Sequence, residues 1–286
     1  TYLLKLCGYG DADMINFWSE DGSFIAPAAA RKRPIGAQVA TYLRLYKCRT
    51  FIPFSSFHRY QRADSAWANA YTTPLSAYAV GFPPDAGELL PAHVRIDCES
   101  GAVSEIRPDA SPDATLPPEA FGDSWADLLE RDERRLLTDY FARRQHVWRH
   151  YGWLNFRVGR QDNLLPMGGP KGRGLTFETP RASLVAALRH EVFDDLLIGN
   201  FMRVTVHGDA SLYPDFTPYV AKYADNGRAY TDDDLSAYMA HYRRRAPVDF
   251  MRHRFEEKTE QIFRRFVSRD SPMFGVAKRI YVAMKT

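Results

Sequence analysis

His58 is the residue whose type and place most clearly allow chemistry. It follows the apolar run RTFIPF and the polar pair SS, a pattern that predicts a buried strand ending in a turn just before the imidazole. A histidine near a strand end can ligate a metal ion or transfer a proton close to neutral pH. It can equally cap the turn through hydrogen bonds, and the sequence leaves both interpretations open.

Two carboxylates lie in an earlier, glycine-flanked turn. Asp11 and Asp13 follow the first apolar run of the chain, in the segment GYGDAD. Paired carboxylates can bind a hard cation or serve in acid–base catalysis. Aspartates are also common in ordinary turns, so their types allow a site without requiring one.

Three arginines are candidates for holding an anionic group. Arg59 and Arg62 follow His58 directly in HRYQRADSAW, and Arg173 lies in the glycine-rich, basic stretch 161–174. A guanidinium group binds carboxylate or phosphate through a fork of N–H donors. Ion-paired surface loops are the alternative for all three, and the glycine-rich stretch lacks the GK[ST] ending of a P-loop.

Composition limits the function classes. The 286 residues include 38 Lys+Arg and 35 Asp+Glu, so the charge gives no signature of a nucleic-acid binder. No apolar run approaches the roughly 20 residues of a membrane span. Cys7, Cys48 and Cys98 form no CxxC pair, which argues against a disulfide framework or a zinc knuckle. We expect a cytoplasmic protein that binds neither nucleic acid nor membrane.

The elements that must position these residues follow from the apolar pattern. Strands are predicted at residues 2–7, 14–18 and 49–54, with a helix over 36–47 between them, and together these form an α/β unit. A hairpin is predicted from 93–98 and 102–106. Beyond it we predict a helix over 125–151, strands at 154–158 and 175–178, a helix over 181–191, a strand or apolar turn at 196–206, and helices from 231 and over 247–268.

The predicted domain organisation has a boundary near the middle of the chain. Residues 108–120 are rich in proline, aspartate and alanine, which is typical of a linker between residues 1–107 and the more helical residues 121–286. The chain opens on the apolar run YLLKLC, which reads as a core strand. We therefore expect that it begins inside a folded domain, whose other half is a missing segment or a separate chain.

Four segments in order resemble the C-terminal half of metallo-β-lactamase-fold proteins related to CMP-N-acetylneuraminate hydroxylase. They are RTFIPFSSFH at 49–58, GDSWADLL at 122–129, HVWRHYGWLNFRVG at 146–159 and FDDLLIGNFMRV at 193–204. The resemblance covers most of the chain. It implies an α/β fold in which residues 1–107 are the distal half of an αβ/βα sandwich, followed by a helical α+β extension.

The same resemblance implies a divalent metal, zinc or iron, at the strand ends. His58 matches the position of the last ligand-type histidine, and Asp11 and Asp13 fall near the pocket. The HxHxDH loop of such folds is absent, so most ligands are expected upstream of Thr1. The cysteines also lack the Cys-x-His and Cys-x-x-His pairs of a Rieske cluster.

The sequence therefore predicts part of a metal-dependent hydrolase that acts on a small anionic, sugar- or nucleotide-like substrate. His58 would be a metal ligand, Asp11 and Asp13 pocket carboxylates, and Arg59, Arg62 and Arg173 substrate-binding residues. One alternative is a non-catalytic partner subunit that completes its fold with another chain. Others are a metal-dependent oxygenase and, ranked last, a cone-shaped isomerase-like pocket in residues 1–105.

Overall fold

The computed structural model describes residues 1–10, 12–54, 57–108, 114–213, 215–221, 229 and 231–266. The chain forms two compact units, Thr1–Arg228 and Ala229–Thr286. The first unit contains both sheets and helices, so the predicted mixed α/β class is confirmed. Asp11 and part of the predicted linker lie outside the described residues.

The strands in chain order are β1 (Tyr2–Lys5), β2 (Phe17–Ser19), β3 (Thr50–Pro53), β4 (Glu88–Leu89), β5 (Val94–Ile96), β6 (Val103–Glu105), β7 (Trp153–Val158), β8 (Gln161–Pro166), β9 (Gly174–Glu178) and β10 (Arg203–His207). The helices are α1 (Gly36–Tyr46), α2 (Arg131–Ala142), α3 (Gln145–His150), α4 (Arg181–His190), α5 (Phe193–Ile198), α6 (Thr217–Val220), α7 (Asp232–Arg245) and α8 (Pro247–Phe266).

A small parallel sheet has the order β1-β3-β4. Its central strand β3 is buried at every residue, as expected for a strand covered on both faces. Helix α1 connects β1 to β3 and buries Val39 and Leu43 against Phe51, while Tyr78 completes this apolar cluster. The predicted arrangement of a strand, a helix and a strand at β1, α1 and β3 is therefore confirmed, whereas the strand predicted at 14–18 is β2 and belongs to the other sheet. Residues 93–106 form the predicted hairpin, β5 with β6.

A larger mixed sheet has the order β2-β10-β9-β7-β8. Alternate residues of its strands are buried in one core with helices α2, α4 and α5. Phenyl rings dominate that core: Phe156 stacks on Phe177 at 5.1 Å, and Phe216 lies 5.0 Å from Phe177. Burying an aromatic side chain this fully stabilises a fold by several kcal/mol, about 3–5 when truncation to alanine is the measure.

The sheet crosses the predicted domain boundary. Strand β2 at residues 17–19 pairs in parallel with β10 at residues 203–207, so segments before and after the predicted linker at 108–120 share one sheet. The division into compact units falls instead between Arg228 and Ala229.

Some predicted elements differ in extent. The predicted helix over 125–151 is two helices, α2 and α3, and the predicted strand or turn at 196–206 is the end of α5 followed by β10. Strand β8 lies in the glycine-rich, basic stretch 161–174, where no strand was predicted. The chain reverses at Gly159 and Arg160, whose φ values of 60° and 64° fit a type I′ hairpin turn, so β8 pairs antiparallel with β7.

The second unit contains helices α7 and α8. Thr231 caps α7 by accepting the backbone N–H of Asp234, and the Asp234 side chain accepts the backbone N–H of Thr231 in return. Three aspartates in its first turn and three arginines in its last turn complement the helix dipole. Among the described residues, no helix is long and apolar enough to cross a membrane.

Candidate functional site

The candidate site lies at the carboxyl ends of two neighbouring parallel strands. Lys5 at the end of β1 is paired with Pro53 at the end of β3. The segments that follow the two strands must therefore leave the sheet at the same edge. Asp13 lies on the first of these segments and His58 on the second, which is how residues far apart in sequence come together.

His58 and Asp13 are in direct contact. The Nε2 atom of His58 lies 3.1 Å from Oδ1 of Asp13, with the histidine side chain 37% exposed and the aspartate side chain 25% exposed. The sequence indicated both residues separately, and the structure brings them together. A partly buried carboxylate beside one ring nitrogen fixes the orientation of the imidazole and selects the tautomer that carries its N–H at that nitrogen.

Tyr60 is a third member of the site and was missed by the sequence analysis. Its hydroxyl donates a hydrogen bond to the same Asp13 Oδ1 atom, and its ring meets the His58 ring edge-on at 5.0 Å. The signal was present in the segment HRY, because alternate residues of an extended chain point to the same side. The Tyr60 hydroxyl also lies 3.1 Å from the carbonyl oxygen of Ala12.

The turn that carries Asp13 is held by a distant asparagine. Asn200, fully buried after α5, donates from Nδ2 to the carbonyl of Ala12 at 2.8 Å and accepts at Oδ1 from the backbone N–H of Ile15 at 2.8 Å. The backbone N–H of Met14 donates to the carbonyl of Leu197 at 3.1 Å. Residues next to the larger sheet thus position the carboxylate of Asp13, which follows a strand of the smaller sheet.

Tyr78 belongs to the apolar cluster of the small parallel sheet. This buried tyrosine donates from its hydroxyl to the carbonyl of Cys7, which lies just past β1. Burial raises the pKa of both the Tyr78 hydroxyl and the Cys7 thiol, so both stay protonated over the neutral pH range. Tyr78 therefore serves as a fixed donor, and Cys7 as a small apolar side chain.

A cavity of about 370 Å³ lies at the ends of β3 and β4. Its lining includes the polar residues His93, Glu105 and Arg107. Phe57, the residue before His58, packs against Tyr78 and His93, and both of those line the cavity. The cavity is within the size range of small-molecule sites.

The predicted anion-binding residue Arg62 is engaged inside the fold. Its guanidinium group contacts Asp64 at 2.9 Å and Asp123 at 2.8 Å, and it stacks over the Phe201 ring at 4.3 Å. Ser183 donates to Asp123 through both its hydroxyl and its backbone N–H. This largely buried network joins the segment after the site to helix α4, so the guanidinium group of Arg62 has a structural role.

Arg173 is engaged in the same way. It donates to Asp215 at 2.7 Å, to the carbonyl of His150 at 3.2 Å and to the carbonyl of Asp209 at 3.3 Å. These bonds tie the start of β9 to the segment after β10. Residues 161–166 of the glycine-rich stretch that contains Arg173 form strand β8.

Arg59 lies between His58 and Tyr60 in the chain and is exposed. Asp11, the second predicted carboxylate, lies outside the described residues. Of the predicted site residues that the structure describes, His58 and Asp13 are in contact, and Arg59 follows His58 in the chain.

No family model, curated protein or solved structure matches this chain. Its function therefore has to be argued from the site itself.

Proposed function

We propose that this chain contributes His58 to the active site of a metal-dependent hydrolase that acts on a small anionic substrate. The observation that carries the proposal is the 3.1 Å contact between His58 Nε2 and Asp13 Oδ1 at the carboxyl ends of parallel strands. Ligands commonly bind at this edge in α/β proteins. The metallo-β-lactamase-type sandwich expected from the resemblance belongs to the same proposal.

The geometry of the pair suits a ligand histidine. A histidine that binds a metal through one ring nitrogen usually donates the N–H of the other to a carboxylate or carbonyl, which fixes the tautomer and raises the basicity of the ligand. With Nε2–H donating to Asp13, the lone pair of His58 is at Nδ1. The hydrogen bond from Tyr60 to Asp13 holds the carboxylate in place.

The described residues supply one metal ligand, His58, and the carboxylate that supports it, Asp13. In the part of the chain that the structure describes, no group of three or more His, Cys, Asp or Glu side chains could hold a metal ion. The remaining ligands would come from other residues, and Asp11 lies just two positions before Asp13. A bound zinc or iron would lower the pKa of a water molecule towards neutrality and so supply the nucleophile for hydrolysis.

An anionic substrate is supported by the basic residues nearby. Arg59 follows His58 in the chain and is exposed, and its fork of N–H donors matches carboxylate or phosphate. His93 and Arg107 line the cavity at the ends of β3 and β4, together with the carboxylate of Glu105. We assign Arg59 to substrate binding and His58 to the metal.

A second candidate is acid–base catalysis without a metal. The hydrogen-bonded series Tyr60–Asp13–His58 is complete within this chain, which favours that alternative. Here His58 would accept or donate the proton at Nδ1, and Asp13 would stabilise the imidazolium. The two candidates use the same residues and differ in whether His58 Nδ1 contacts a metal ion.

A third candidate is a partner subunit without catalytic activity. Strand β1 forms an edge of its sheet in the described chain, and its residues Tyr2 and Leu4 are exposed, Leu4 by 54%. Apolar side chains on an open strand edge favour pairing with a further strand. Such a strand, from another segment or another chain, is also compatible with the hydrolase proposal.

The test is the metal content of the whole gene product, measured by elemental analysis. We expect His58→Ala to lower the bound metal per protein at a fixed low metal concentration, while His241→Ala, at an exposed helix position, leaves it unchanged. Unchanged metal content in His58→Ala, combined with lost hydrolytic activity, would favour the metal-free candidate. A metal-free protein without any hydrolytic activity would favour the partner subunit.

A further inference from the structure

A second cavity, of about 450 Å³, lies on the face of the five-stranded sheet opposite the phenyl core. Residues of β7 alternate: Leu154, Phe156 and Val158 are fully buried in the core, whereas Trp153 and Asn155 line this cavity. None of the residues of the candidate site lines it. The proposed hydrolase therefore leaves this cavity without a role.

Asn155 is the polar residue of the cavity that lacks a complete set of partners. It is only 7% exposed, and its Oδ1 atom is buried with no hydrogen-bond partner among the described residues. A buried unsatisfied acceptor costs about 1–3 kcal/mol. Such a group is uncommon in a native protein and calls for an explanation, such as a bound molecule that donates to it.

The orientation of the Asn155 amide is fixed by chemistry. Its Nδ2 atom donates to Oδ1 of Asp162 at 2.9 Å. Turning the amide over would set its oxygen against that carboxylate, which accepts hydrogen bonds and cannot donate when ionised. Asp162 is kept ionised because two hydrogen bonds from Arg157, at 2.8 and 3.2 Å, lower its pKa. The oxygen of Asn155 is therefore the atom left for a ligand.

Trp153 provides a flat wall. The residue opposite it on β9 is Gly174, where a Cβ atom would lie 2.2 Å from the indole ring. The absence of that side chain lets the indole lie across the strand and approach His207 on β10, with ring centroids 4.7 Å apart. His207 is held in turn by a 3.0 Å contact with Thr176, another lining residue.

The remaining lining residues define the ligand class. Leu164 and Pro166 are apolar, and Lys171 brings a positive charge at the rim. A flat apolar slot favours an aromatic ring, one unpaired acceptor calls for one O–H or N–H donor, and an exposed ammonium favours an anion. We propose that this cavity binds a small aromatic carboxylate whose ring carries a hydrogen-bond donor for Asn155.

A ligand must pass the side chain of Leu164 to reach Oδ1 of Asn155. It lies directly opposite Asn155 in the β7–β8 pair, and it is 62% exposed. Exposed side chains change rotamer on the picosecond to nanosecond timescale, so Leu164 can turn aside as the ligand's donor reaches Asn155 Oδ1.

The test uses three probes on the intact chain: 4-hydroxybenzoate, benzoate without the donor, and 4-hydroxybenzamide without the charge. Binding is followed by NMR of the five tryptophan indole N–H groups, with Trp153 assigned through Trp153→Phe. We expect saturable shifts at Trp153 with 4-hydroxybenzoate. We also expect binding about tenfold weaker for benzoate, because a hydrogen bond to the acceptor is missing.

Two variants make the test decisive. In Asn155→Leu the tenfold preference for 4-hydroxybenzoate over benzoate should disappear. In Lys171→Gln, an exposed change that leaves the fold intact, 4-hydroxybenzoate should bind several-fold more weakly and 4-hydroxybenzamide should be unaffected. Absence of saturable shifts at Trp153, or equal affinity for 4-hydroxybenzoate and benzoate in the unaltered chain, would overturn the proposal and assign the Asn155 acceptor to ordered water.

Discussion

Asn200 accepts the backbone N–H of Ile15 at 2.8 Å across a sequence separation of 185 residues. Its amide nitrogen holds the carbonyl of Ala12 at the same distance. The turn between them carries Asp13, the carboxylate that contacts His58. The orientation of the proposed metal ligand thus depends on a residue that lies between helix α5 and strand β10 of the other sheet.

Replacing Asn200 should destabilise the first unit. Asn200→Ala removes both hydrogen bonds and leaves the buried backbone N–H of Ile15 without its partner, so we expect a loss of about 2–4 kcal/mol in the free energy of unfolding. Asn200 has a φ of 56°, which glycine adopts without strain, so Asn200→Gly should cost about 1 kcal/mol less than Asn200→Ala. Chemical denaturation measures the free energy of unfolding of both variants. A wild-type midpoint for Asn200→Ala would show that the two bonds do not hold this turn.

Removing the charge of Asp13 should weaken metal binding without abolishing it. Loss of a supporting carboxylate typically lowers metal affinity by about 10–100-fold, and we expect Asp13→Asn to fall in that range. Competition with a chelator measures the affinity. Asp21→Asn is the matched control, because Asp21 lies in an exposed turn where hydrogen bonds from Ser19 and Ser23 set its pKa at about 2. Equal loss in both variants would contradict a specific role for Asp13.

The ion pair between Arg181 and Glu133 should contribute to stability. Arg181 donates to both carboxylate oxygens of Glu133 at 2.8 Å, and it also contacts Glu130, which caps α2. A lysine cannot form this fork, so Arg181→Lys should lower the free energy of unfolding. Arg135→Lys, at an exposed pair 3.9 Å apart, should stay within about 0.5 kcal/mol of wild type. Equal effects would show that the fork geometry is immaterial.

Stability should fall as the pH drops below about 6.5. Burial lowers the pKa of His150 and of His207, and in both cases it outweighs the nearby carboxylate, Asp215 or Glu20. Between the unfolded and folded pKa values the unfolded chain binds more protons, so the unfolding free energy rises with pH, by at most about 1.4 kcal/mol per pH unit for each histidine. Denaturation at pH 7.5 and 5.5 measures the slope, which His150→Asn and His207→Asn should each reduce.

Several individual helices and strands could be predicted from the sequence. Helix α1, strand β3 and the β5–β6 hairpin match their predicted positions, because each has a regular apolar pattern and clear turn residues at its ends. Strand β8 was missed because Gln161–Pro166 is polar and largely exposed, and its turn is Gly-Arg rather than Asn-Gly. Edge strands of this kind carry little hydrophobic signal.

The sequence predicted individual residues of the candidate site but not their contacts. His58 and Asp13 were identified as residue types near strand ends, but their contact depends on the register of β1 with β3, and periodicity does not encode register. Asn200 was open to prediction as a left-handed residue after a helix, since Gly199-Asn200 is a typical helix stop. Its bonds to residues 12–15 were not, because they join parts of the chain that no local pattern connects.

The most direct test of the metal proposal is anomalous X-ray scattering from crystals of the whole gene product grown with zinc. We predict an anomalous peak about 2.0–2.1 Å from Nδ1 of His58, the usual zinc–nitrogen distance, with Asp13 still bonded to Nε2. The peak should be lost in His58→Ala crystals. A zinc peak elsewhere with no density at Nδ1, or a His58 ring whose nitrogens contact only protein atoms at saturating zinc, would contradict the assignment of His58 as a ligand.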